Sequence, residues 1–306
     1  MGLCPWLHDA AAPRLKSVLL LTYCLLTYCL LPCFLLACLG CSSLRSTERV
    51  IRSLPDAVAD QPRQDRDWLP YQAVLAYAET DRQGATIRNV RQCRWTSDQE
   101  AVIQYSDWKI RWEDVRSVDF IVVPFDNTPS LAHTMLSFGM ADGRHLAASV
   151  EARLQQGESF SAVAGSVRQF ELIYVLADEV DLLGLRAEHR QDDVYLYRSI
   201  ATPEQAAELL RHVLRRTNQL AAQPEFYDSI ANNCTTNLIE HINHISPETV
   251  PSTLQNLLPG HSDSMAYDLG LLATPLPFEQ ARKQANVTMR IRQHLKDPDF
   301  SQRIRH

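Results

Sequence analysis

Apolar residues recur at helical spacing most clearly after Thr202-Pro203, where Ala206, Leu209, Leu210, Val213 and Leu214 form one continuous stripe. Thr202 predicts an N-cap, Pro203 the first turn, and Gln205 the closing member of a capping box. A second helix is predicted from Asn233, a good N-cap, because Leu238, Ile239, Ile242 and Ile245 repeat the stripe. Residues 68–80 and the acidic stretch 178–189 also read as helical. Between these, short runs of alternating or β-branched character predict strands over 85–95, 101–105, 118–123, 133–138, 145–150, 169–176 and 194–197. Asp142-Gly143 between the fourth and fifth of these is a hairpin signal. The pattern is that of an α+β fold with a mostly antiparallel sheet and packed helices.

The N-terminus has a different pattern. Arg14 and Lys16 precede 23 uncharged residues from Ser17 to Leu39, followed by Gly40-Cys41-Ser42-Ser43. A basic leader before a long apolar run means export or anchoring. Two sites approximate a lipoprotein signal, Leu35-Leu36-Ala37-Cys38 and Cys38-Leu39-Gly40-Cys41, of which the second has the better Ser-rich sequel. Cys41 is therefore the expected lipidation site and Cys38 the alternative. An uncleaved anchor is the other reading, since 23 apolar residues can span a hydrocarbon core of about 30 Å. From Ser42 to Arg66 the chain is polar and carries Pro55 and Pro62, as a tether would. The expected organisation is a signal or anchor over 1–41, a tether over 42–66 and a folded body over 67–306, membrane-tethered in the cell envelope.

Composition removes several function classes. Lys+Arg total 30 against 36 Asp+Glu in 306 residues, a net charge of −6, and no basic patch marks a nucleic-acid partner. None of the 10 glycines frames a dinucleotide fingerprint, a P-loop or a serine nucleophile elbow, so no nucleotide cofactor is expected. Of 8 cysteines, six lie in the first 41 residues, leaving Cys93 and Cys234 in the body. An exported compartment permits a bridge between those two. His241-x-x-His244 has metal-type spacing, but no carboxylate or thiol cluster accompanies it, and no metal is assigned. The run Asp178-Glu179-Val180-Asp181 reads as helix N-terminal charge with ion pairs to Arg153 or Arg186 rather than as a cation site.

Cys234 at the start of its helix carries more chemistry. Unpaired backbone N–H groups and the positive end of the helix dipole favour a thiolate, and cysteines so placed have pKa values lowered from about 8.5 towards roughly 3.5–7.5. The same amides can hold an oxyanion, with Asn233 and Thr235 as the supporting residues. The alternative is that Cys234 is simply a small buried hydrophobe. A nucleophile needs a base. His241 and His244 stand seven and ten residues further along one helix, roughly 10 Å or more away. His133, at the start of the strand Ala132-His133-Thr134-Met135-Leu136-Ser137-Phe138, is the better placed imidazole. Its orienting partner depends on the hairpin. A two-residue Asp142-Gly143 turn pairs it with Ala152, whereas a three- or five-residue loop pairs it with Glu151. Ser149 and Glu151 share a face in either register, so one of them is expected to orient His133.

Several motifs carry a family resemblance. Ile87-Arg88-Asn89-Val90-Arg91, the His133 strand, Ser149-Val150-Glu151-Ala152-Arg153, Ala177-Asp178-Glu179-Val180-Asp181 and Pro224-Glu225-Phe226-Tyr227 with Asn233-Cys234-Thr235-Thr236 resemble the Lnb-type N-terminal periplasmic domain. So do Leu258-Pro259-Gly260-His261-Ser262-Asp263 and the tail from Asp299 to Arg305. The family takes its name from a bacterial lipoprotein N-acyltransferase that works through a cysteine thioester. The resemblance implies Cys234 as nucleophile, His133 as general base, and a phospholipid or lipoprotein substrate. The order of His on a strand before Cys at a helix N-terminus is also similar to permuted papain-like enzymes such as lecithin:retinol acyltransferases. A thiol hydrolase of peptide or cell-wall amides is the alternative enzyme, and a non-catalytic scaffold lipoprotein the alternative of another class.

Overall fold

A thirteen-residue and an eleven-residue strand build the centre of the molecule, and most of their described side chains are buried, because both faces are covered. The computed structural model describes residues 61–125, 128–246, 250 and 259–306. The apolar leader, Cys38, Cys41 and most of the expected tether lie outside the described residues.

The strands are β1 (Tyr77–Thr80), β2 (Gly84–Arg91), β3 (Arg94–Trp95), β4 (Ala101–Val102), β5 (Tyr105–Arg111), β6 (Val115–Phe125), β7 (Thr128–Met140), β8 (His145–Arg153), β9 (Glu171–Asp178) and β10 (Tyr195–Arg198). Eight form one sheet in the order β1-β2-β9-β8-β7-β6-β10, with β5 also on β2, while β3 and β4 make a separate ribbon. The pairings are antiparallel except β2 with β9. The α+β class and the mostly antiparallel sheet therefore stand as read.

Helices cover both faces. On one side lie α3 (Pro203–Ala222) and α4 (Cys234–Ile245), whose Leu210, Leu214 and Leu238 pack with Val118, Phe120, Leu136 and Leu172. On the other lies α2 (Glu179–Gly184), which widens into a π turn over Leu185–His189, and behind it Ile291, Phe300 and Ile304 from the C-terminal helices. The short helix α1 (Ala162–Ser166) precedes β9. The α3 capping box forms as its sequence predicts, Thr202 Oγ1 accepting from Gln205 N at 3.3 Å and Gln205 Oε1 from Thr202 N at 2.9 Å. Such a cap stabilises by about 1 kcal/mol.

Three expectations change. Residues 68–80 are a 3-10 turn, Pro70–Gln72, and then β1. The Ala-rich run is short enough to suit either period, and tertiary partners choose the extended form. Asn218 of α3 acts as a surrogate strand, its amide accepting from Ala78 N at 2.8 Å and donating to Ala78 O at 2.7 Å. The strand read over 101–105 is a two-residue piece, and the sheet instead takes β5. The acidic run pairs with other arginines than Arg153 and Arg186. Asp181 holds Arg91 in a fork at 2.8 and 2.9 Å, Glu179 pairs with Arg305 at 2.5 Å, and Asp178 caps α2 and meets Arg94 at 2.8 Å. Arg153 instead donates to the carbonyls of Gln72 and Ala73.

Folded contacts begin before Trp68. Arg66 Nε donates to Glu171 at 2.6 Å, and Gln64 donates to the Leu220 carbonyl at 2.8 Å.

Candidate functional site

The hairpin that carries His133 turns through Ala141, Asp142 and Gly143. Gly143 N donates to Met140 O at 3.0 Å and Met140 N to Arg144 O at 2.9 Å. Gly143 sits at φ +87°, a left-handed conformation that glycine adopts without steric cost. The loop is thus the three-residue alternative, and its odd length sets the register Met135↔Ser149. Continued by two residues, that register places His133 across from Glu151.

The two strands part at that point. β7 stays paired to β6 through Val123↔His133 and Pro124↔Ala132, and β8 stays paired to β9 as far as Arg153↔Glu171. The β7–β8 ladder, however, ends at Met135↔Ser149. A wedge opens between the strands, and a cavity of about 200 Å³ lies there, lined by His133, Glu151, Arg186, Tyr227 and Cys234 among others.

One chain of hydrogen bonds runs through the wedge. His133 Nε2 meets Ser149 Oγ at 2.7 Å, Ser149 Oγ donates to Glu151 Oε1 at 2.8 Å, and Arg186 Nη2 donates to the same oxygen at 3.0 Å. Burial works to raise the Glu151 pKa, but Arg186 and Arg91 outweigh it and hold the carboxyl well below the usual range. An ionised Glu151 can only accept, so the single Ser149 proton points at it. Ser149 must then accept from His133, which puts the imidazole proton on Nε2. Nδ1 is left with its lone pair free, the form a general base requires. Burial, reinforced by Arg186, pushes the His133 pKa down to about 3, so the resting imidazole is neutral. A preformed imidazolium–thiolate pair is not the resting state.

Cys234 approaches from the opposite side on α4. Asn233 caps that helix twice over, its Oδ1 accepting from Thr235 N at 2.9 Å and Thr236 N at 3.0 Å, while Thr236 Oγ1 accepts from Asn233 N at 2.9 Å. The Asn233 side-chain amide donates to Ser229 O at 2.9 Å. The cap thus occupies both ends of Asn233 and the Thr235 amide, which the sequence had put forward as oxyanion support. The N–H of Cys234 itself is not taken by the cap. Cys234 is 6% exposed, and its sulfur lies 4.0 Å from the carbonyl oxygen of Ala132, the residue before His133. Cys234 and His133 line one cavity without a hydrogen bond between them. Cys93 and Cys234 are both free thiols, which removes the disulfide alternative.

Three participants lay beyond sequence reasoning. Arg186 anchors Glu151; its signal was a lone cation inside the apolar run Leu182 to Ala187. Gln72 donates to Glu151 Oε2 at 3.4 Å from the segment read as helix. Tyr227 lines the cavity beside Cys234, and its phenol is pushed up by burial and by the nearby sulfur, so it stays protonated as a donor. His241 and His244 lie elsewhere, as their spacing required. His241 is bonded to Tyr174 and His212, each at 2.7 Å, and His244 stacks on His212. Among the described residues, no group of three or more His, Cys, Asp or Glu side chains is arranged to hold a metal ion.

The class defined is an α+β protein with a buried cysteine at a helix N-terminus and a tautomer-locked histidine on the facing strand. The profile of the Lnb N-terminal periplasmic domain matches residues 104–260, about half of the 306-residue chain and a span that includes His133, Ser149, Glu151 and Cys234. The chain belongs to that family, and its body is periplasm-facing. No curated protein and no solved structure matches it. Among the described residues no helix is long and apolar enough to cross a membrane.

Proposed function

We propose that the chain is an exported, membrane-tethered thiol acyltransferase-like enzyme that forms a thioester on Cys234 from a lipid ester or lipoprotein. The observation that carries this is the wedge cavity, which a tautomer-locked, neutral His133 and the helix-start residue Cys234 both line. In the first half-reaction His133 Nδ1 takes the Cys234 proton as sulfur attacks the ester carbonyl. The Cys234 N–H and the Tyr227 hydroxyl are the donors available to the oxyanion. The imidazolium, steadied through Ser149 by Glu151, then protonates the leaving alcohol. In the second half-reaction an amine takes the acyl group from sulfur, with His133 again accepting and returning the proton. The permuted papain-like order of His before Cys agrees with this chemistry, and membrane tethering through Cys41 or Cys38 would bring lipidic donors within reach.

Incubating the full-length chain with phospholipid vesicles and weighing it intact tests the reading. An acyl adduct is expected, absent in Cys234→Ala and slowed about 10²-fold or more in His133→Ala. Release of free fatty acid with no transferable adduct would make the protein a hydrolase. No adduct and no turnover would leave a scaffold lipoprotein.

A further inference from the structure

A second cavity lies on the other flank of the same two contacts. Where the wedge is lined by His133 and Cys234, this one is lined by their chain neighbours Thr134 and Thr235, and by Leu136, Leu238, Ile242, Met265 and Ala266. Its volume is about 150 Å³, the size at which a dry apolar cavity accepts a benzene-sized guest. The wall is almost wholly hydrocarbon, contributed by the apolar stripe of α4 on one side and by β6 and β7 on the other. Six polar residues interrupt it: Thr134, Ser199, Gln205, Thr235, Ser246 and Ser262. The hydroxyls of Thr134 and Ser262 are buried, at 2% and 4% residue exposure, and have no hydrogen-bond partner among the described residues.

Buried hydroxyls are rarely left unpartnered, since each loses its water without replacement. A chamber with so much hydrocarbon in its wall suits an occupant that is hydrocarbon along its length. Thr235 links the chamber to the nucleophile, for its Oγ1 lies 3.9 Å from the Cys234 sulfur.

We propose that this chamber receives the first methylenes of the acyl chain whose carbonyl is attacked by Cys234, so that it selects linear acyl groups over acetyl. The proposal rests on the thioester reading above for its chemistry, but the chamber's affinity for a hydrocarbon chain does not. Each methylene moved from water into such a site favours binding by about fourfold.

The test uses the full-length chain in CHAPS, a steroidal detergent with no alkyl tail. Cys234 acylation by p-nitrophenyl acetate, butyrate and hexanoate is followed by the nitrophenolate burst. Wild type is expected to accelerate about fourfold per added methylene. Ala266→Phe, which fills the chamber, is expected to collapse the hexanoate-to-acetate ratio to near one. Ile242→Asn, which adds a polar group to the wall without filling the chamber, should lower the same ratio should the Phe variant not fold. An unchanged ratio in a folded variant overturns the proposal. Fluorescence of cis-parinaric acid supplies the separate arm. Binding by wild type and by Cys234→Ala, weakened at least tenfold in Ala266→Phe, supports the chamber even if no ester reacts. Absence of binding together with a flat ester series overturns the chamber while a burst on acetate leaves the thiol chemistry standing.

Discussion

Cys93 and Cys234 are both buried free thiols, 0% and 6% exposed, yet their surroundings are opposite. Cys93 follows β2, where its own N–H donates to Asp181 at 2.8 Å and that carboxylate is held by Arg91 and Trp95. Burial and the adjacent Asp181 push its thiol up to about 12. Cys234 begins a helix, and it lines a cavity with an imidazole whose free nitrogen accepts a proton. Burial by itself therefore says nothing about reactivity. What separates the two is the charge beside the sulfur and the space in front of it.

The largest expected difference is kinetic. With a pKa near 12, Cys93 holds about 10³-fold less thiolate at neutral pH than an ordinary thiol near 8.5, so iodoacetamide should label Cys93 about 10³-fold more slowly than such a thiol, and more slowly than Cys234. Peptide mapping of the labelled protein reads the ratio, and equal slow labelling would erase the contrast. Next, Asp181→Ala strips the buried Arg91 of its partner, and loss of one member of such a pair costs about 3–5 kcal/mol. Urea denaturation should show that loss. The most gradual effect is in pH. His133 and His241 are both buried neutral, with pKa values pushed down to about 3 against about 6.5 in the unfolded chain. Between those values the unfolded state binds the extra protons, so stability is full above about pH 6.5 and falls as pH drops towards 3. Each histidine contributes a slope of about 1.4 kcal/mol per pH unit, and His241→Gln should remove its share without altering Cys234 labelling.

Parts of this were open to sequence reasoning for definite reasons. The α3 stripe with Thr202 and Gln205, and the Asn233 cap before Cys234, are local signals whose partners lie within four residues. His133, Ser149 and Glu151 could be named because strand alternation puts them on one face. Their order in the relay could not, since it turned on whether the loop at Gly143 held two residues or three. Residues 68–80 were misread because a surrogate strand 140 positions away, Asn218, decides their conformation. Arg186, Gln72 and Tyr227 come from three distant segments, and no local pattern announces that they meet.

Sequence alone thus determined the two capped helices and the α+β class, because each depends on short-range periodicity or on residue type. Tertiary structure alone decided that the β7–β8 ladder stops at Met135↔Ser149, that Glu151 reaches His133 through Ser149, and that an apolar chamber adjoins the sulfur. Those outcomes rest on strand register, on hydrogen bonds between distant segments and on space left between packed elements, none of which a linear pattern of residues encodes locally.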